Sequence, residues 1–339
     1  MSELILLTGG GTGGHVFPNI ALLPELKPRF REVCYMGGSG MEKEIAARYG
    51  LRFFEVNSPK FKRELTFDNF KIPIELLHSV KSARQILAEL KPSVIFSKGG
   101  YVSLPAVLAA HHLDIPVVCH ESDFSLGVAN RIAKLSGARL LTAFPIGVGE
   151  IVGMPLRTEL SNGNRGRAFD ALSISGQDTR PYLLIIGGSS GATALNKAVY
   201  SCLDILLETY NIIHIAGKNG DFSVTRDRYR QIEFSNDMQD LYAAADCVVS
   251  RAGATAVAEL SYLKKRALFI PLPKSASRGD QIKNAQYAEQ HGAALLFQED
   301  LTPQSFIDAC MRLKNLSPMR ECVKVANTVV ADICASEAN

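Results

Sequence analysis

The sequence has no apolar run long enough to cross a membrane and no N-terminal segment typical of a secretory signal. Its first apolar run, Leu4–Leu7, stops at a glycine cluster and is interpreted as a first β-strand. With 339 residues, of which 47% are hydrophobic and 21% charged, the chain has enough apolar material for two folded domains. The composition therefore predicts a soluble globular protein, whose partners can still be membrane-bound.

The sequence also lacks a strong excess of charge, because 37 Lys and Arg against 34 Asp and Glu leave a net charge of only +3. Proteins that bind nucleic acid usually carry a strongly basic surface, so no nucleic-acid partner is expected. The seven cysteines include no CxxC pair and no Cys/His cluster at zinc spacing. Several of them stand in apolar runs, which indicates reduced, buried thiols: Cys34, Cys119, Cys202 and Cys247.

Short β-rich runs alternate with helical patterns along almost the whole chain, which predicts a parallel α/β architecture. The runs form two series on either side of the polar, glycine-rich stretch Ser161–Gly166, and the domain boundary is expected between about Gly153 and Gln177. The first series is Leu4–Leu7, Glu32–Tyr35, Phe53–Val56, Val94–Phe96 and Val117–Cys119; the second is Tyr182–Ile186, Ile212–Ile215, Cys247–Val249, Ala267–Ile270 and Ala294–Phe297.

Each series opens with an apolar strand, a glycine-rich loop and a helix, and the two loops are Gly9–His15 and Gly187–Ala192. Backbone amides in such a loop can approach a phosphate, while the helix N-terminus supplies partial positive charge. Neither loop matches GxGxxG followed by a ribose-binding acid, and neither is GxxxxGK[ST], so NAD and ATP are disfavoured. Because open α/β sheets bind ligands at the carboxyl ends of their strands, a cleft between two doubly wound halves is the predicted site.

Two side chains beside these elements have both a functional and an ordinary interpretation. His15 stands at the start of a helix, where a neutral imidazole is favoured and can act as a general base; it can also simply cap backbone groups. Arg157 follows Gly153-Met154-Pro155-Leu156 at the domain junction. It can hold a leaving diphosphate, or it can be a solvated linker residue.

Two further side chains follow turns in the second half. Glu259 lies in the helix after Ser250–Thr255, where a carboxylate can accept hydrogen bonds from ribose hydroxyls, although a lone helical glutamate is usually a surface charge. Gln281 ends the loop that begins at Pro271, with Asp280 before it. These polar groups can bind sugar hydroxyls or cap the next helix, and their spacing does not separate the two alternatives.

Together these motifs resemble the MurG family of N-acetylglucosaminyltransferases over nearly the whole chain. The resemblance is specific because seven segments occur in the family's order and at close to its spacing. They are TGGGTGGHVFP at Thr8–Pro18, KGGYVSLPAVLAA at Lys98–Ala110, HESD at His120–Asp123, GMPLR at Gly153–Arg157, GGSSGA at Gly187–Ala192, DLYAAADCVVSRAGATAVAEL at Asp240–Leu260 and PLPKSASRGDQIKNA at Pro271–Ala285.

The resemblance implies a GT-B glycosyltransferase fold with two Rossmann-like, doubly wound domains facing across a cleft. Residues 1–158, joined by a C-terminal helix 322–337, would form the acceptor and membrane-side domain, and residues 159–321 the UDP-sugar domain. The implied reaction is inverting transfer of GlcNAc from UDP-GlcNAc to the C4 hydroxyl of lipid-linked N-acetylmuramyl-pentapeptide, which is lipid I, in peptidoglycan synthesis. No cofactor or metal is expected, since no acidic pair is evident and Arg157 can stabilise the departing diphosphate.

The resemblance also assigns roles to particular residues. His15 is the implied base, and Asp123, where many members have Asn, could share that role, with Glu121 as a further candidate. The implied substrate contacts, with Asp123 at a position linked to the sugar or the acceptor, are Thr12, Gly13, Gly14, Asp123, Arg157, Ser189, Ser235, Ala254, Thr255, Glu259 and Gln281.

The implied location is the cytoplasmic face of the cell membrane, as a peripheral protein. Lys60–Phe67 and Phe70–Leu77 interleave cations with large apolar groups, as an interfacial patch on an anionic membrane would; alternatively, the apolar residues belong to the core. Two rival functions stay open. One is a GT-B transferase that acts on another lipid, and the other is a catalytically silent protein that binds nucleotide sugars.

Overall fold

The computed structural model describes residues 2–59, 72–187, 193–276 and 279–339. The chain divides into two compact units. The first comprises Met1–Arg157 together with Lys324–Asn339, and the second comprises Thr158–Val323. Each unit is a parallel sheet with helices packed on it, so the predicted α/β class is confirmed.

The first unit is built on a seven-stranded parallel sheet with the order β3-β2-β1-β4-β5-β6-β7. Apart from β7, this is the doubly wound order in which the chain starts in the middle and winds outwards in both directions. Its strands are β1 Ser2–Thr8, β2 Phe30–Gly37, β3 Arg52–Glu55, β4 Val94–Ser97, β5 Val117–Glu121, β6 Arg139–Thr142 and β7 Glu150–Ile151.

Helices cover both faces of this sheet, because alternate residues of β1 enter different cores. Ile5 and Leu7 pack in one apolar cluster, and Leu4 and Leu6 pack in another. The helices are α1 Gly13–Ala21, α2 Leu23–Leu26, α3 Met41–Arg48, α4 Ile72–Leu90, α5 Leu104–His111, α6 Val128–Leu135 and α13 Asn327–Glu337.

Helix α13 belongs to the first unit although it lies at the end of the chain. Asn327 anchors it, since its Nδ2 donates to the carbonyl oxygens of Ala21 and Leu156 and its Oδ1 accepts from Leu156 N–H. Val330 and Cys334 of the same helix are fully buried in the cluster that contains Ile5.

The second unit repeats the plan with a six-stranded parallel sheet in the order β10-β9-β8-β11-β12-β13. Its strands are β8 Tyr182–Ile186, β9 Asn211–Ile215, β10 Tyr229–Ile232, β11 Cys247–Ser250, β12 Arg266–Phe269 and β13 Ala294–Leu295. Its helices are α7 Arg165–Ala171, α8 Thr193–Thr209, α9 Met238–Ala244, α10 Ala254–Tyr262, α11 Asp280–Gln290 and α12 Pro303–Leu313.

The strands predicted from apolar runs are all present, with ends that shift by one or two residues. Of the strands within the described residues, β6, β7 and β10 were not predicted. All seven cysteines are free, and the four singled out in the sequence are buried. Within the described ranges no helix is both long and apolar enough to span a membrane.

Candidate active site

In the first unit, the candidate residues follow three neighbouring strands at one edge of the sheet. Strands β1, β4 and β5 are adjacent and parallel, so their carboxyl ends meet. The loop Gly9–Thr12 follows β1, Lys98–Tyr101 follows β4, and Ser122–Gly127 follows β5. The strand order therefore places segments that are about 90 and 110 residues apart in sequence at the same edge, where open α/β sheets bind ligands.

Thr12 and His15 form a pair at the end of the first of these loops. Thr12 Oγ1 lies 2.9 Å from His15 Nδ1. Thr12 immediately precedes α1 and is exposed, while His15 is half-buried. When the ring carries its proton on Nδ1 and donates it to Thr12, Nε2 keeps the lone pair that a general base needs. This geometry is compatible with the base role predicted for His15, provided that the ring adopts that tautomer.

Glu121 is a buried carboxylate with four hydrogen-bond donors around it. Oε1 accepts from the backbone N–H groups of Ser122 and Asp123 at 3.0 and 3.1 Å. Oε2 accepts from Gly127 N at 2.8 Å and from Asn130 Nδ2 at 3.1 Å. This arrangement holds the loop after β5 in shape. Asp123 stands on that loop and is half-buried.

Lys98 and His120 form a buried polar network behind these loops, and the sequence had given neither a role. Lys98 Nζ donates to Ser122 Oγ and lies 2.8 Å from His120 Nδ1, while His120 Nε2 lies 2.8 Å from the Gly153 carbonyl oxygen. Burial lowers the pKa of Lys98 to about 8, although the nearby carboxylates of Glu121 and Asp123 oppose this change. Burial and the positive charge of Lys98 hold the pKa of His120 well below its usual value. His120 is therefore neutral, accepting at Nδ1 and donating from Nε2.

Arg157 lies beside α1, which carries His15. Its guanidinium carbon is 5.5 Å from the centre of the Phe17 ring, a cation–π distance, and the residue is half-buried. Its proximity to the first helix argues against the alternative of a solvated linker residue. The structure therefore places Arg157 beside the helix whose first turn carries His15.

In the second unit, Glu259 is buried in α10, with 8% of its surface exposed. Its Oε2 accepts a hydrogen bond of 2.9 Å from the Tyr242 hydroxyl on α9. The alternative that Glu259 is a surface charge is therefore wrong. Helix α10 begins at Ala254, so Glu259 lies in its second turn, with Ala254 and Thr255 in the first.

The other candidates of this unit come after different strands of its sheet: Ser235 follows β10, and Gln281 follows the loop after β12. Gln281, in the first turn of α11, is half-buried and accepts a hydrogen bond of 3.0 Å from Leu272 N–H with its Oε1. Ser235 is half-buried, and its hydroxyl oxygen accepts from Asp237 N–H at 3.1 Å. Ser189 lies outside the described residues.

Arg251 lies in the turn between β11 and α10, and Asn284 of α11 contacts that turn. Neither residue was singled out from the sequence as a site candidate. Arg251 donates to the Ile270 carbonyl oxygen at 2.9 Å and to Gln298 Oε1 at 2.7 Å, and burial lowers its pKa to about 10. Asn284 Nδ2 donates to the Ala252 carbonyl oxygen at 3.1 Å. For Arg251 the available signal was a polar residue directly after an apolar strand, which also applies to Lys98. Such residues stand where parallel strands end and ligands bind. Asn284 lies within α11 and had no such signal.

Comparison with known proteins identifies both halves. The models of the glycosyltransferase family 28 N-terminal domain and C-terminal domain match residues 5–139 and 182–327. A relative from Clostridium botulinum (strain Loch Maree / Type A3) is 44% identical over 308 residues, covering 87% of this chain and 86% of its own. It is named UDP-N-acetylglucosamine–N-acetylmuramyl-(pentapeptide) pyrophosphoryl-undecaprenol N-acetylglucosamine transferase. This chain belongs to the MurG family.

Two further comparisons agree with membership of the MurG family. A relative of the same name from Lachnospira eligens is 40% identical over 321 residues, which is 91% of this chain and 90% of the relative. The crystal structure of Acinetobacter baumannii MurG superimposes with a TM-score of 0.72 at 26% identity, over 99% of this chain and 100% of that one. The GT-B fold expected from the sequence is therefore confirmed, as is the resemblance from which it was expected.

Proposed function

We propose that this protein transfers GlcNAc from UDP-GlcNAc to the C4 hydroxyl of lipid-linked N-acetylmuramyl-pentapeptide, with inversion at the anomeric carbon. The observation that carries the proposal is the 44% identity over 87% of the chain to a relative named for this transfer. The reaction is a single displacement: the acceptor oxygen bonds to the anomeric carbon, the bond from that carbon to the diphosphate breaks, and UDP leaves.

In this proposal His15 removes the proton from the acceptor hydroxyl. The hydrogen bond to Thr12 supports this role because it orients the ring, and Nε2 is the basic nitrogen in the tautomer that donates from Nδ1 to Thr12. Asp123 is the alternative base, since it is half-buried on the loop after β5. We assign Glu121 a scaffold role instead, because both of its oxygens already accept hydrogen bonds from two donors each.

The departing UDP carries the negative charge that develops in the reaction. In the first unit, the groups proposed to stabilise this charge are Arg157 beside α1, the amides of Gly13 and Gly14 at the start of that helix, and Thr12. Ser189 is the proposed phosphate ligand from the second unit. These groups supply positive charge and N–H donors without proton transfer.

The donor nucleotide is proposed to bind the second unit at the carboxyl ends of β8 and β11. Ser235 and the turn at Ala254 and Thr255 would contact uracil and ribose. Glu259, oriented by Tyr242, would accept from the ribose hydroxyls. Gln281 would contact the hydroxyls of GlcNAc.

The deciding experiment supplies UDP-GlcNAc with lipid I or a short-chain analogue and measures UDP release. We expect release that depends on the acceptor and a product carrying one added GlcNAc. Release only with another lipid, such as diacylglycerol, would indicate a different GT-B transferase. Binding of UDP-GlcNAc without release under any of these conditions would indicate a silent nucleotide-sugar-binding protein.

We also propose that the protein binds the membrane surface peripherally, because its acceptor is anchored there. Residues 60–71 of the expected patch lie outside the described residues. In the adjoining part, Ile74 and Leu77 at the start of α4 are 60% and 68% exposed, which supports the interfacial interpretation, whereas Ile72 is buried in the core. Exposed apolar side chains beside cations are the composition of an interfacial segment.

Sedimentation with anionic vesicles tests the membrane proposal. We expect less cosedimentation for Ile74→Glu with Leu77→Glu and unchanged cosedimentation for Ile205→Glu, an isoleucine of the second unit that is 47% exposed. Charge reversal by substitution with Glu should also abolish cosedimentation, while activity on a soluble acceptor analogue persists. The four residues to substitute are Lys60, Lys62, Arg63 and Lys71. Cosedimentation that survives both changes would exclude this segment as the anchor.

A further inference from the structure

Glu42 is a buried carboxylate that none of the proposed roles uses. It lies in the first turn of α3 and is only 1% exposed. Its Oε2 accepts a hydrogen bond of 3.3 Å from the backbone N–H of Gly11, and its Oε1 accepts one of 3.1 Å from the N–H of Gly38. A buried carboxylate is costly unless it is hydrogen-bonded, and here two backbone amides from two different loops supply the bonds. Glu42 thus links the glycine loop after β1 to the one after β2.

The space that Glu42 occupies accounts for a glycine in the loop after β1 and for the glycine that ends β2. A Cβ atom built on Gly10 would lie 2.6 Å from Glu42 Cδ, and one built on Gly37 would lie 2.8 Å from Glu42 Cγ. Neither distance is compatible with van der Waals contact, so any larger residue would displace the carboxylate. The backbone can approach Glu42 closely only because these positions carry no side chain.

The contact with Glu42 lies one residue away from the candidate base system. Gly11 immediately precedes Thr12, whose hydroxyl pairs with His15 Nδ1 at 2.9 Å. The same loop is held at its other end by the Tyr35 hydroxyl, which donates to the Gly9 carbonyl oxygen at 2.7 Å. The ends of the loop are therefore fixed by β2 and α3, outside the loop itself.

We propose that Glu42 is a positioning residue for glycosyl transfer, whose carboxylate holds the Gly9–Thr12 loop so that Thr12 orients the His15 ring. This inference rests on the proposed function. Because Glu42 is buried and acts through the loop, its loss should lower kcat while the KM for UDP-GlcNAc, which is proposed to bind the second unit, stays nearly constant. The Gly11 N–H is committed to a protein carboxylate, so the amides left to meet the phosphate are the proposed ones of Gly13 and Gly14 at the start of α1.

Glu42→Gln is the principal test, because it keeps the shape of the side chain and turns an NH₂ group towards the N–H of Gly11 or of Gly38. We expect a fall in kcat on the order of 10- to 100-fold, as for a misplaced catalytic group, and a KM for the donor within about twofold of the parent. Glu44→Gln, on the exposed side of the same helix, removes the same charge and should behave as the parent. Gly10→Ala places a methyl group against the Glu42 carboxylate and displaces it, so this variant should reproduce the fall in kcat. It replaces Glu42→Gln as the test if that variant does not fold.

A double-mutant cycle separates positioning from a general structural effect. If Glu42 acts through Thr12, Glu42→Gln should cost little further activity in a Thr12→Ala background. Two substitutions that disrupt the same interaction do not have additive effects. A full multiplicative loss in that background, or parent-like kcat in Glu42→Gln, would overturn the proposal.

Hydrogen exchange gives a readout that does not depend on activity. The amide of Gly11 should exchange at least about tenfold faster in Glu42→Ala than in the parent, since this variant removes both acceptor oxygens and the hydrogen bond is lost. Unchanged exchange would contradict the proposal even if activity fell. An inactive parent would contradict the proposed function instead, and the exchange rates would still decide whether Glu42 holds the loop.

Discussion

Lys98 offers a quantitative test of the buried network behind the candidate site. Its ammonium group is buried and contacts Ser122 and His120. Lys98→Met keeps a chain of similar length and removes the amine. The substitution has two consequences: it deletes these hydrogen bonds at every pH, and it removes a group whose protonation differs between the folded and unfolded chain.

The second consequence has a sign and a size that follow from the pKa. Burial lowers the pKa of folded Lys98 from 10.5 to about 8, whereas the unfolded side chain keeps its ordinary value. Between about pH 8 and 10.5 the unfolded chain binds more protons, so the free energy of unfolding rises with pH across this window. The gap between the two values corresponds to roughly 3 kcal/mol, of which about 1.4 kcal/mol is gained by pH 9 and about 2.5 kcal/mol by pH 10.

The assay is urea unfolding of the parent and Lys98→Met, followed by far-ultraviolet circular dichroism at pH 7, 9 and 10. The free energy of unfolding of the parent minus that of the variant should increase by these amounts. Tyrosines and other groups that titrate at high pH are common to both proteins, so they cancel in the difference. Lys134→Met, on the exposed side of α6, controls for the removal of a positive charge from the surface.

A difference that stays constant from pH 7 to pH 10 would refute the reasoning. It would mean that the Lys98 amine keeps its hydration in the folded protein. The described contacts with His120 and Ser122 could then not be those of a desolvated group.

Three further predictions concern single side chains. His15→Ala should lower turnover on the order of 10²- to 10⁴-fold without changing UDP affinity, and near-normal turnover would move the base role to Asp123. Glu259→Ala should weaken UDP-GlcNAc binding by roughly 1–3 kcal/mol in calorimetry, because a buried acceptor for ribose is lost; unchanged affinity would exclude the ribose contact. Glu121→Gln should destabilise the first unit by roughly 2–4 kcal/mol in urea unfolding, since its NH₂ group would face two donors. Unaltered stability with lost turnover would favour a catalytic Glu121.

The strands that the sequence predicted correctly are apolar runs followed by glycine or polar turns. Tyr182–Ile186 coincides with β8, because five consecutive large apolar residues are compatible only with a buried strand in this context. The missed strands have weaker signals. β10 carries Arg230 and Gln231 at the edge of its sheet, β7 has two residues at the other sheet's edge, and β6 has only two apolar residues. Edge strands bury less, so their sequences need not be apolar.

For the site, the local pattern identified the glycine loops and the polar residues that follow strands. It could not determine which of these residues are buried or paired. Glu259 had the pattern of a surface charge, and Glu42 had no signal, because its partner Gly11 is 31 residues away.

Local sequence therefore determined the α/β class, the two-part organisation and the family, since periodicity and motifs depend on neighbours along the chain. The strand order brought Lys98 to His120 across 22 residues and Glu42 to Gly11 across 31. Hydrogen bonds at such separations follow from which strands lie side by side, and only the folded chain decides that.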